Sequence, residues 1–176
     1  LTAWLKELGA HVTGIALEPH SNPSNFIVSG LDQGIQDLRV DLRNKNLVQQ
    51  AFLLAEPDYV FHLAALARIT PSFEKPVGTF KSGPMATINV LEWARHWETP
   101  VIYAGSSSVT GDVYANPYTF TKWQNEHLLE LYNKLQPEMM LAPASGFEHF
   151  HNCFIGGYVD HVLRVMACAE ILYSQW

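Results

Sequence analysis

The stretch "PVIYAGSSSVTGDVYANPYTFTKWQNEHLLELYNKLQ", residues 100–136, reads as a strand, a loop and a long helix in succession. "PVIYAGSS", residues 100–107, is rich in β-branched and aromatic residues, which suit a pleated, buried surface. The helix that follows is amphipathic, and Pro117 fits its first turn. The same alternation recurs upstream. Strands are predicted at 11–17, 38–42 and 58–66, with helices from "NKNLVQQAFLLAE" and from "GPMATINVLEWARHW". The first of these helices shows Leu47, Ala51 and Leu54 on one side, and the second is interrupted near its start by Gly83 and Pro84. "LTAWLKELGA" opens inside a helix that Gly9 ends, and "EMMLAPAS" is a final short strand. Strands alternating with helices imply βαβ units and a parallel sheet, an α/β fold. Ligands of such open sheets bind beyond the carboxyl ends of the strands.

The composition narrows the function. The chain has 176 residues, 48% of them hydrophobic and 16% charged, enough for one globular domain with a real core. A net charge of −6 without a basic run argues against nucleic acid as a partner. No apolar run reaches the roughly 18 residues of a membrane span, and no secretory leader is visible. Cys153 and Cys168 read as reduced thiols, which points to the cytoplasm.

Tyr118 and Lys122 lie four apart, on one face of a helix. An ammonium near a phenol favours the phenolate by opposite-charge attraction. A tyrosine so placed can take a proton from a sugar or alcohol hydroxyl as hydride leaves the carbon. The pair is weak evidence alone, and its context strengthens it. "YAGSSSVTGD" ends the strand before this helix and supplies hydroxyls, among them Ser106, Ser107 and Ser108, that can hydrogen-bond a substrate. "FHLAA" ends an earlier strand with small side chains that admit a planar cofactor, and "VDLRN" places Asp41 at another strand end.

With "FHLAA", "INVLEWAR", "SSSVTG" and "YTFTK" in that order, the chain resembles an extended short-chain dehydrogenase/reductase of the nucleotide-sugar epimerase/dehydratase branch. The resemblance covers about residues 1–147. The first third is most similar to CDP-glucose 4,6-dehydratases, and the middle to sugar-nucleotide 4-epimerases. It implies a Rossmann-like parallel sheet with flanking helices binding NAD or NADP, with 148–176 as the start or remnant of a substrate domain. It also implies roles. Tyr118 is the base, Lys122 activates it and holds the nicotinamide ribose, and Ser106 binds the reacting hydroxyl. Asp41 and Leu42 contact adenine, Leu63, Ala64 and Ala65 line the cofactor, and Ala144 and Ser145 lie near the nicotinamide. Ser72, in "ITPSFEKP", lies where family members contact the sugar, and a plain turn serine is the equal alternative. The helices at 85–97 and 118–135 would form a homodimer interface.

Departures from the family pattern carry expectations too. The glycine-rich phosphate turn and the first strand would precede Leu1, and the substrate domain would follow the last strand. The chain is therefore expected to be a fragment, a truncated homologue or one piece of an assembly. Ala16 stands where an acidic residue would accept the adenine ribose, with Glu18 close by. Gly83 replaces a family asparagine, Thr110 an aromatic, and Ala142 an arginine. Most dehydratases follow the catalytic hydroxyl with acidic residues, and here Ser107 and Ser108 follow, which cannot shuttle protons at neutral pH. Redox at the sugar C4 of a nucleotide-sugar substrate, as in epimerases, is thus preferred over water elimination. The rival expectations are an inactive Rossmann-like binding or assembly module, and a 4,6-dehydratase.

Two further features have plainer readings. His149, His151, Cys153 and His161 invite a metal, but their spacing fits no common zinc module. His62, inside a strand, reads as a hydrogen-bonded core histidine.

Overall fold

The computed structural model describes residues 1–135. The last predicted strand, Ala142, Ala144, Ser145, the boundary at 147/148 and the His/Cys cluster all lie outside the described residues. Two compact units divide the chain at Glu56 and Pro57.

In the first unit, α1 (Thr2–Glu7) stops at Leu8, and Gly9 follows in the left-handed region at φ 89°. This region is costly for a side chain with a Cβ, so a glycine is expected there. β1 (Thr13–Ala16) pairs in parallel with β2 (Gln36–Arg39), Thr13 opposite Gln36 and Ala16 opposite Arg39. A short helix, α2 (Asn25–Val28), interrupts the predicted turn between them. α3 (Lys45–Ala55) starts where the Asn44 side chain accepts the N–H groups of Asn46 and Leu47, an N-cap that satisfies otherwise orphaned donors. It buries Val48, Ala51 and Phe52, while Leu53 and Leu54 are exposed. The predicted stripe of Leu47, Ala51 and Leu54 is thereby corrected by one position. "LVQQAFLLA" carries two overlapping apolar stripes, and the pattern alone does not choose between them.

In the second unit, β3 (Val60–His62) pairs in parallel with β4 (Val101–Tyr103), His62 opposite Tyr103. The connection runs through α4 (Ile69–Glu74), α5 (Pro76–Phe80), a π turn (Lys81–Met85) and α6 (Ala86–His96). Gly83 and Pro84 interrupt the helix as predicted, in the form of the π turn. They sit inside a helical run that continues from Pro76 to His96. A wider π turn absorbs a proline that has no N–H to donate. α7 (Pro117–Leu135) packs on α4, α5, α6 and the π turn. At Gly83, in that turn, an added Cβ would lie 3.0 Å from the Thr121 Cβ of α7. The asparagine that the family pattern expects at 83 would not fit so close a contact. Val90, Leu91, Ala94, Val101, Ile102, Tyr103 and Leu129 fill the core of this unit.

The fold is thus α/β with parallel strands, as expected. All four strands are shorter than predicted, because several of the apolar residues assigned to them lie in the loops at their ends.

Candidate functional site

The candidate residues of the second unit gather at the carboxyl ends of β3 and β4. His62 is the last residue of β3, and its carbonyl accepts the N–H of Ala104, just past β4. The Lys122 ammonium donates to the Ala104 carbonyl at 2.7 Å and lies 4.8 Å over the Tyr103 ring. One turn earlier on α7, the Tyr118 hydroxyl donates to Ser106 Oγ at 3.4 Å. Ser106 caps a short 3₁₀ turn (Ser107–Thr110): its Oγ accepts the N–H of Ser108 at 3.3 Å and shares a 2.9 Å hydrogen bond with the Ser108 hydroxyl. Tyr118 thus meets Ser106, and Lys122 lies one turn further along the same helix on the carbonyl of Ala104.

Electrostatics single out two members. Lys122 is only 5% exposed, and burial pulls its ammonium down to about 8, with Glu126 partly opposing. Three N–H donors belong to an ammonium, and one is spent on Ala104. His62 is buried and within 2.9 Å of Thr87 Oγ1 through Nε2. Burial, and then the charge of Lys122, lower it to about 4, so it is neutral at pH 7. It is a hydrogen-bonded core histidine, in keeping with its reading from the sequence.

The other candidates are placed less tightly. Leu63 follows β3 and is 51% exposed, with Ala64 and Ala65 half-buried beside it. Ser108 touches Ser106, whereas the Ser107 carbonyl accepts the Thr110 hydroxyl at 2.9 Å. Ser72 does not lie in a turn. It sits on α4, fully buried, with its hydroxyl donated to the Ile69 carbonyl at 2.6 Å. In the first unit, Asp41 and Leu42 follow β2, and Arg43 grips Asp41 through its side chain and backbone N–H. Hydrogen bonding to Arg43 holds the Asp41 carboxyl below its ordinary value. Glu18 lies past β1 with Arg39 Nε 4.0 Å away.

Three residues escaped the sequence reading. Tyr103 lies under the Lys122 ammonium, Asn125 donates to the Tyr103 hydroxyl at 3.0 Å, and the charge of Glu126 partly offsets the effect of burial on Lys122. Continuing the four-residue step from Tyr118 and Lys122 would have reached Glu126.

A resident nicotinamide dinucleotide can be tested against these features. A buried ammonium whose one hydrogen bond among the described residues is to Ala104 suits ribose hydroxyls. The apolar side chains of Leu63, Ala64 and Ala65 past β3 suit a flat ring system. The residues present therefore fit the group.

Comparison with known proteins agrees. The chain is 33% identical over 92 residues to the CDP-glucose 4,6-dehydratase of Salmonella typhimurium, covering 52% of this chain and 26% of that protein. It is 29% identical over 127 residues to the UDP-glucose 4-epimerase of Pisum sativum, covering 65% and 36%. Among solved structures, the UDP-glucose 4-epimerase of Thermus thermophilus in complex with NAD matches with a TM-score of 0.67 at 25% identity, covering 79% of this chain and 48% of that one. The chain thus spans about a quarter to a third of the length of these curated relatives, and about half of that structure. The model of the NAD dependent epimerase/dehydratase family matches residues 1–139, and the chain belongs to that family.

Proposed function

We propose that this chain carries the catalytic half of an NAD-dependent nucleotide-sugar epimerase acting at the sugar C4. The observation that carries the reading is the Tyr118 hydroxyl on Ser106 Oγ, with Lys122 anchored one turn away on Ala104. Bound NAD supplies a hydride acceptor. Ser106 Oγ orients the reacting hydroxyl, and Tyr118 takes its proton. The Lys122 ammonium, anchored on Ala104 one turn from Tyr118, holds the nicotinamide ribose. Leu63, Ala64 and Ala65 exclude water along the cofactor, and Ser108 joins Ser106 in meeting substrate oxygens. In the first unit, we assign Asp41 and Leu42 to the adenine. Glu18 serves as the acceptor for its ribose hydroxyls, which favours NAD over a 2′-phosphorylated cofactor.

The dehydratase similarity of the first third leaves water elimination as the rival. Ser107 and Ser108, which follow the reacting serine, have no carboxyl to shuttle protons, and this supports the epimerase reading. A homodimer through α6 and α7 belongs to the same proposal, supported by the aromatic run of Tyr114, Phe120, Trp123 and His127 and by the exposed Leu131. So does a cytoplasmic location. Among the described residues no helix is long and apolar enough to cross a membrane.

The test is dinucleotide binding followed by turnover. NAD should raise the melting temperature, and Tyr118→Phe should abolish C4 epimerisation of UDP-glucose with that shift intact. Undiminished turnover in Tyr118→Phe would remove the proposed base.

A further inference from the structure

Tyr103 ends β4 with its ring fully buried, and neighbours on three elements fix it. It lies opposite His62 of β3, with ring centroids 5.7 Å apart and planes tilted by 45°. His62 is itself tied to Thr87 of α6 at 2.9 Å. From α7, the Asn125 amide donates to the Tyr103 hydroxyl at 3.0 Å. Also from α7, the Lys122 ammonium sits 4.8 Å over the centre of the same ring. Lys122 and Asn125 are three residues apart and so share one side of the helix. α7 therefore engages Tyr103 at two points, the hydroxyl and the ring face.

A cation over an aromatic face is attracted by the ring quadrupole, and more strongly when both are withdrawn from water. Lys122, Tyr103 and Asn125 are all buried. The ammonium thus has two adjacent supports, the Tyr103 ring and the Ala104 carbonyl at 2.7 Å. The carbonyl fixes where the nitrogen points, and the ring offsets part of the cost of burying its charge. An aliphatic residue in its place would leave that charge against hydrocarbon. A buried tyrosine hydroxyl needs a hydrogen-bond partner, and the Asn125 amide supplies it and pins the far end of the ring.

We propose that Tyr103 is a positioning residue for Lys122, its ring serving as the platform that seats the ammonium on Ala104, with Asn125 holding that ring in place. The consequence for catalysis rests on the function proposed above; the seat itself does not. The titratable groups around the ammonium are His62 on β3, Tyr103 on β4, and Tyr118 and Glu126 on α7. Burial lowers His62 to about 4 and pushes the Tyr103 hydroxyl well above its ordinary value. Neither changes charge near the Lys122 midpoint of about 8.

The experiment follows the Lys122 ε-methylene protons by NMR in the purified chain, their signal identified by its loss in Lys122→Met. In the native chain the Tyr103 ring should shift them upfield, and a pH titration gives the midpoint. Tyr103→Phe keeps the ring, and both readouts should stay close to native. Tyr103→Leu removes it. The upfield shift should vanish and the midpoint should fall by about one pH unit, roughly tenfold in proton affinity. Asn125→Ala frees the hydroxyl end of the ring and should weaken the upfield shift. If the leucine variant does not fold, Tyr103→Met, flexible enough to fill an irregular space, is read in the same way. The proposal is overturned by unshifted Lys122 protons in the native chain, by an unchanged upfield shift in Asn125→Ala, or by a midpoint that does not fall when the ring is removed. A Tyr103 that merely filled space would leave the midpoint where it was. Neither readout needs substrate or cofactor, so a chain that failed to bind NAD would sink the proposed function and leave this result standing.

Discussion

The Tyr118 hydroxyl donates to Ser106 Oγ across 3.4 Å, and the same oxygen accepts the N–H of Ser108. Ser106 is thus the shared acceptor of the group, and Ser108 is a supporting member. Ser106→Ala should lower kcat/KM for epimerisation by about 10²–10³, the usual cost of losing one oriented hydrogen-bonding group at a reacting oxygen. Ser108→Ala leaves the Tyr118 contact in place and should cost about tenfold or less by the same reasoning. Steady-state kinetics of the two variants separate the roles. Equal losses would mean that Ser106 has no special position.

His62 predicts an acid-side loss of stability. Its folded-state value of about 4 lies below the ordinary 6.5, chiefly because it is buried. The unfolded chain therefore binds a proton between pH 6.5 and 4 that the folded chain refuses. Stability contributed by neutral His62 is complete above pH 6.5 and is lost as pH falls toward 4. The loss is roughly 3 kcal/mol, at about 1.36 kcal/mol for each tenfold difference in proton affinity between the two states. Urea unfolding at pH 7 and at pH 4 measures it. His62→Gln should be less stable at pH 7 but show a shallower decline. A decline as steep as in the native chain would assign the acid sensitivity to other groups.

Gly83 lies in the π turn against Thr121 of α7, and its missing side chain has a consequence. A Cβ there would meet the Thr121 Cβ at 3.0 Å, and Thr121 is itself tied to the Tyr118 carbonyl at 2.8 Å. The contact is between packed elements and has little room to relax. Gly83→Ala should destabilise by about 1–3 kcal/mol, the range for overpacking, and Gly83→Asn by more. Thr121→Ala should restore part of the loss in the double variant, because it deletes the Oγ1 and Cγ2 atoms near the added methyl. Thermal melts of the four-member cycle test this, and strictly additive effects would refute the proposed contact.

How much of this was legible depended on the range of the interactions involved. Tyr118 and Lys122 share one helix face through local periodicity alone, and α7 begins at Pro117, as predicted. The alternation of strands and helices was legible for the same reason. Gly83–Pro84 read as a helix interruption because proline disfavours helix locally. Only the packing of α7 against that turn makes a π turn the favourable solution. Ser72 reads as a turn residue in "ITPSFEKP", yet it is buried on α4, held by a contact with its own helix. Tyr103 was missed because its place under Lys122 joins a strand to a helix nineteen residues on, a contact that no local pattern records. Asp41 appeared at a strand end as expected, but its capture by Arg43 depends on loop geometry.

Lys122 yields a prediction in which stability and function oppose each other. Burial lowers its ammonium from 10.5 to about 8. Between those values the unfolded chain holds a proton that the folded chain has released. The folded state therefore gains stability as pH rises from 8 to 10.5, by roughly 3 kcal/mol on the same conversion of proton affinity into free energy. At pH 7 the same quantity is a standing cost of keeping the charge buried against Tyr103. Lys122→Met removes the charge and retains most of the side-chain volume. Its stability should lack this alkaline rise, so the variant should lose ground to the native chain between pH 7 and 10.5. Guanidinium unfolding of both chains at pH 7, 8.5 and 10.5 measures the difference directly. NAD binding and turnover should fall in the variant at every pH. A variant with the same alkaline rise as the native chain would show that Lys122 is not held charged at a cost, and would remove the electrostatic basis for its role beside Tyr118.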